Sequence, residues 1–139
     1  VKHLLRYLKG TMALGIVYSK TGGGGPLNVL APYVDADWAG DPDSRRSTTG
    51  YVILLNGAAI SWKSKRQSVI ALSSAEAEYV AASSLVQEIT YCRKLLAALG
   101  YAQGEATPVY EDNATAISWS EGACRARWSA GRLELVLRE

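Results

Sequence analysis

Phenylalanine is absent from the 139 residues, methionine and histidine occur once each, and there are two cysteines. A lone His3, with Cys92 and Cys124 far apart and no Cys-x-x-Cys spacing, leaves nothing for a zinc cluster or a disulfide framework. A reduced intracellular protein, not a secreted one, fits best. No stretch approaches the roughly 18 consecutive apolar residues of a membrane span, which excludes a membrane partner of that kind. Val1-Lys2-His3 is neither an initiator methionine nor the start of a signal peptide, so the chain reads as a piece of something longer. Strong charge is missing too: a net charge of +2 is too mild for a global field, and any contact with phosphate must come from local patches. What is present is apolar material, 48% of the chain, enough for one domain with a single core.

Along the chain, Val1 to Lys9 is a basic, apolar stretch with helical spacing, ended by Gly10. Gly22 to Gly25 followed by Pro26 is a loop, since it lacks the Gly-x-Gly-x-x-Gly or Gly-Lys-Ser/Thr pattern that cradles phosphate. Leu27 to Asp37 reads as a strand, with Pro32 suggesting an edge position or a bulge. Thr49 to Leu55 and Ala58 to Lys63 flank Asn56-Gly57, a strong hairpin signal. From Ser73 to Leu99 the period becomes helical, with Leu85, Ile89, Cys92 and Leu96 on one stripe and Gly100 closing it. A short strand over Thr107 to Glu111 and a helix from Asn113 or Ala114 to about Ser120 follow. Three strands, a helix, a strand and a helix imply an α/β or α+β layer architecture with one parallel crossover.

Three carboxylates stand out: Asp35 in a strand, Glu78 early in the long helix and Asp112 directly after the last strand. Acids so distributed can converge on divalent cations, the arrangement needed to cut a phosphodiester with two bound metals. At 100° per residue Glu78 lies within about 20° of Leu85, Ile89 and Leu96, while Glu76 is about opposite Leu85. Glu78 therefore faces the sheet, where a carboxylate is costly unless it is paired or bound to metal. The plainer reading for Glu78 is a helix-start acid beside a hydroxyl cap from Ser73 or Ser74, and for Asp112 an ordinary N-cap. Asp35 and Asp37 share a strand face, so alternation alone does not separate them. Alternation assigns Trp62 to core packing rather than to stacking on a substrate.

Several long strings now carry a resemblance: Arg6-Tyr7-Leu8-Lys9-Gly10-Thr11, Asp35-Ala36-Asp37-Trp38-Ala39-Gly40-Asp41, Arg45-Arg46-Ser47-Thr48-Thr49-Gly50-Tyr51, Ile60-Ser61-Trp62-Lys63-Ser64-Lys65, Ala71-Leu72-Ser73-Ser74-Ala75-Glu76-Ala77-Glu78-Tyr79 and Glu111-Asp112-Asn113. In this order they resemble the ribonuclease H domain of copia-type LTR retrotransposon Pol polyproteins, over most of Val1 to about Gly122. The resemblance implies a ribonuclease H-like α/β fold, a mixed sheet of three antiparallel strands and a parallel crossover flanked by helices, with an incomplete C-terminal part. It divides the chain into the end of a reverse transcriptase or connection segment (1–20), the ribonuclease H-like domain (27–122) and a divergent tail (123–139).

The implied activity is hydrolysis of the RNA strand of RNA/DNA hybrids with two Mg²⁺ ions, Mn²⁺ serving as substitute. The family's catalytic, metal-holding acids fall on Asp35, Glu78 and Asp112. Arg45, Arg46, Lys63, Lys65 and Arg66 are the candidates for substrate phosphates. Implied partners are the hybrid and the reverse transcriptase and integrase domains of the same polyprotein. The departure is in the tail, where an ungapped placement puts Gly131 at the family's fourth metal-site acid, with Glu134 the nearest carboxylate. A second reading follows from that departure: an inactive remnant that at most binds nucleic acid or a reverse transcriptase.

Overall fold

The computed structural model describes residues 1–20, 27–127 and 133–137; the glycine run Gly22 to Gly25, and Gly131, lie outside them. The elements are α1 (Lys2–Gly10), β1 (Leu30–Asp37), β2 (Thr48–Leu55), β3 (Ala58–Arg66), α2 (Ser74–Ala98), β4 (Thr107–Glu111), α3 (Ala114–Arg127) and β5 (Leu133–Leu137).

Local chemistry sets the first half of the sheet. Asn56 and Gly57 both take positive φ (54° and 82°), as a two-residue hairpin turn that follows the strand twist requires. They join β2 to β3, and β1 pairs antiparallel with β2 from Leu30↔Leu55 to Asp37↔Thr48. β4 and β5 then add in parallel, giving the order β3-β2-β1-β4-β5. β1 is thus central, not an edge, and Pro32 within it is fully buried opposite Ile53. The ladder from β1 to β4 is registered at Tyr33↔Tyr110, so a central strand here has few bonds for a proline to interrupt.

The long helix starts where its cap chemistry is satisfied. The Ser73 hydroxyl accepts the Glu76 N–H at 3.2 Å, and the Glu76 carboxylate accepts the Leu72 N–H at 2.7 Å. Leu99 caps the other end, followed by Gly100 at φ 87°. Fully buried Ala77 and Ala81 let α2 lie close on the sheet, and Leu85 and Ile89 fill the layer against Leu30 and Ile53. Each such Leu or Ile contributes about 1.5–3 kcal/mol by leaving water.

Three further expectations change. α3 runs on to Arg127 rather than ending near Ser120. The sheet does not stop at β4, because Leu133–Leu137 pairs along its whole length with Thr107–Glu111. That segment carries leucine at every second position, the strand period, beside an edge with unpaired backbone groups. Trp62 is 66% exposed. It pairs with Val52, and Val52 with Tyr33, in a row across the sheet face away from α2. Tyr33 and Tyr110 stack in the same row at 4.8 Å between ring centroids. α1 buries no residue.

Candidate metal centre

Parallel register brings the first two acids together. Tyr33 pairs with Tyr110; Asp35 lies two residues further along β1, and Asp112 lies two residues beyond Tyr110, just past the end of β4. Glu78 stands on the first turns of α2, on its buried face, as the helical phase requires. Asp35, Glu78 and Asp112 each offer an oxygen within 4.8 Å of the others, with Glu78 buried and both aspartates exposed.

The competing explanations for these acids are taken by neighbours. Asn113, not Asp112, caps α3: its side-chain oxygen accepts the N–H groups of Thr115 and Ala116, both at 3.1 Å. Ser73 caps α2, and Glu76 rather than Glu78 completes that cap. Asp37, on the same strand face as Asp35, packs its carboxylate against Gly40 so closely that any Cβ there would overlap it. The turn after β1 is held by Trp38 Nε1–H donating to the Ala71 carbonyl at 3.1 Å and by Ala39 N–H donating to Ser47 Oγ at 3.1 Å. Ala39 adopts φ 52° there, which turns the chain away directly after the acids.

Electrostatics mark Glu78 and a fourth acid that the sequence reading passed over. Burial first, then the charge of Glu111, pushes the Glu78 carboxyl up to about 8; Asp35 and Asp112 add to the push, and a backbone hydrogen bond from Ala36 opposes it. Glu111 is 1% exposed, and burial raises it to about 7 against the hydrogen bonds from Asn113 and Asp112. Oε2 of Glu78 and Oε2 of Glu111 are buried with no hydrogen-bond partner. The signal for Glu111 was available: it takes the third inward position of an alternating strand, Thr107, Val109, Glu111. Hard oxygen donors with an orphaned buried oxygen suit a divalent cation such as Mg²⁺ or Mn²⁺.

The basic candidates divide. Lys63, Lys65 and Arg66 line one cleft of about 210 Å³ together with Thr49, Gln67 and Ser84. Lys63 Nζ donates to Ser84 Oγ at 2.9 Å and lies over the Tyr51 ring. Gln67 is held by bonds from its Nε2 to Thr49 Oγ1 and the Ala77 carbonyl, which leaves its buried Oε1 unpartnered. Arg45 and Arg46 do not line the cleft; they are exposed in the β1–β2 turn. That turn is tied to the end of β3 by Arg66 pairing with Asp41 at 2.9 Å. Beside Asp41, a Ser44 hydrogen bond holds the carboxyl below the usual range.

Five strands in this order, with the acids at the ends of β1 and β4 and on α2, form a ribonuclease H fold. A solved ribonuclease H1 isolated from compost, LC11-RNase H1, superposes with a TM-score of 0.59 over 81% of this chain and 85% of its own, at 16% identity. No family model matches the chain. In sequence it is 44% identical over 123 residues to the retrovirus-related Pol polyprotein from transposon TNT 1-94 of Nicotiana tabacum, covering 88% of this chain and 9% of that protein. The Pol polyprotein from transposon RE2 of Arabidopsis thaliana is 42% identical over 113 residues, 81% of this chain and 8% of the relative. Secreted RxLR effector protein 161 of Plasmopara viticola is 47% identical over 91 residues, 66% of this chain and 61% of its own length. The chain's homologues are retrovirus-related Pol polyproteins of copia-type transposons, and it corresponds to less than a tenth of their length.

Proposed function

We propose that this ribonuclease H-type domain hydrolyses the RNA strand of RNA/DNA hybrids during retrotransposon reverse transcription, acting inside cells beside the reverse transcriptase and integrase of one polyprotein. The observation that carries the reading is the convergence of Asp35, Glu78 and Asp112, with a buried, unpartnered Glu78 oxygen among them. Asp35, Glu78 and Asp112 are the residues that would hold two Mg²⁺ ions. Such ions, when bound, lower the pKa of water and stabilise charge on the phosphate and the leaving oxygen. The reaction adds water to phosphorus and breaks the bond to the 3′ oxygen, leaving a 3′-hydroxyl and a 5′-phosphate.

Lys63, Lys65 and Arg66 hold a backbone phosphate of the hybrid in their shared cleft, and Arg45 and Arg46 reach a further phosphate from the turn. Selectivity for RNA rests on backbone polar groups and hydroxyls that read the 2′-OH and the minor-groove shape. In this reading residues 1–20 are the end of the preceding reverse transcriptase segment.

The test is cleavage of a labelled RNA/DNA hybrid by the purified chain with Mg²⁺ or Mn²⁺, alongside Asp112→Asn and an RNA duplex. The expected result is hybrid-specific cutting that falls at least about a hundredfold in the variant. A folded chain that leaves the hybrid intact would be an inactive remnant, the reading that the altered tail favours.

A further inference from the structure

On the reading that Asp35, Glu78 and Asp112 hold divalent cations, we infer that Glu111 is a buried carboxylate directly behind that centre, whose charge strengthens cation binding while one of its oxygens pins Asp112 in place. Glu111 ends β4 on the face that Thr107 and Val109 turn into the core, and it is 1% exposed. One oxygen is fully occupied: Oε1 accepts the Asp112 N–H at 3.0 Å and the Asn113 N–H at 3.1 Å. This fixes the two residues that present the exposed acid and cap α3. A carboxamide would accept the same two bonds, so pinning does not account for a charged group here.

The other oxygen is the informative one. Oε2 of Glu111 is buried without a hydrogen-bond partner. Among the described residues no lysine or arginine pairs with it, the ion pair there being Arg66 with Asp41. The charges that act on the Glu111 carboxyl come from acids: that of Asp112 raises it, and Glu111 in turn raises Glu78, whose own Oε2 is likewise orphaned. A buried carboxylate is retained where a cation compensates it. Four carboxylates match the charge of two divalent cations, and among the described residues no lysine or arginine forms an ion pair with any of the four. Glu111 therefore acts through the cation site and through Asp112 as a positioning residue.

Mn²⁺ binding to the full chain, followed by calorimetric titration and by the Mn²⁺-induced shift in melting temperature, separates charge from pinning. Glu111→Gln keeps the acceptor for both N–H groups and removes the charge. Its expected outcome is an Mn²⁺ affinity lower by about tenfold or more, a smaller Mn²⁺-induced shift, and a metal-free melting temperature equal to or above wild type. Glu111→Met, uncharged and of similar volume, gives the same loss of affinity should the glutamine variant fail to fold. Asp35→Asn serves as control for the underlying site. A wild-type chain that takes up no Mn²⁺ overturns both readings. Wild-type affinity in folded Glu111→Gln or Glu111→Met, with binding lost in Asp35→Asn, overturns the role of Glu111 alone.

Discussion

The two ends of β1 and β4 are built from the same strands and treat buried polar groups in opposite ways. At the end where the strands begin, no buried side-chain nitrogen or oxygen among the described residues lacks a partner. Gln103 accepts the Leu30 N–H at 3.3 Å and donates to the carbonyls of Asn28 and Tyr101 at 2.7 and 3.1 Å. The Arg93 guanidinium donates to the carbonyls of Gln103 and Glu105 and to the Thr107 hydroxyl. At the other end Glu78 and Glu111 each keep a buried oxygen without a partner. The cleft at the satisfied end is the larger, about 260 Å³ against about 210 Å³ for the basic cleft. Unanswered hydrogen-bonding capacity therefore separates the two ends.

That contrast can be broken at the satisfied end first, where the largest effect on stability is expected. Arg93→Ala removes three hydrogen bonds and should lower unfolding free energy by about 2–4 kcal/mol in denaturant titration, while the folded fraction keeps wild-type Mn²⁺ affinity. Reduced affinity in the folded variant would mean that the two ends are coupled.

At the other end the expected effect depends on pH. The folded-state pKa of Glu78 is raised to about 8 from 4.5, so between those values the folded chain binds more protons than the unfolded one. Stability of the metal-free protein should therefore fall as pH rises from about 4.5 to about 8, with Glu111, raised to about 7, adding to the slope. Melting curves without metal across that range check the sign. Glu78→Gln should flatten the dependence, and an equally steep fall in that variant would place its cause elsewhere. The smallest effect is expected for Asn113→Ala, which loses the cap of α3 and about 1 kcal/mol. Since Glu111 also holds this junction, the change should leave Asp112 in place and cation affinity within about twofold.

Much of this architecture was legible beforehand. Asn56-Gly57 announced the hairpin because few residue pairs accept two successive positive φ values. The helical stripe announced α2 and placed Glu78 inward because 3.6 residues per turn admits one phase. Asp35 and Asp37 could not be separated by a period of two; the turn did so, by packing Asp37 against Gly40. Trp62 was read as core because alternation distinguishes two faces without saying which one a helix covers. β5 escaped notice because comparison of strings finds no match in the tail, whereas the alternation of leucines needs only a free strand edge.

By itself the sequence determined the first three strands, α2 and β4 and which acids stand at their ends, because turn chemistry and periodicity are local properties. Only the tertiary structure decided that β1 is central despite Pro32, that Asn113 caps α3 so that Asp112 is left to the site, and that Glu111 is a buried neighbour of Glu78. Those facts depend on register between strands distant in the chain, and on how much water each carboxylate keeps once the layers close.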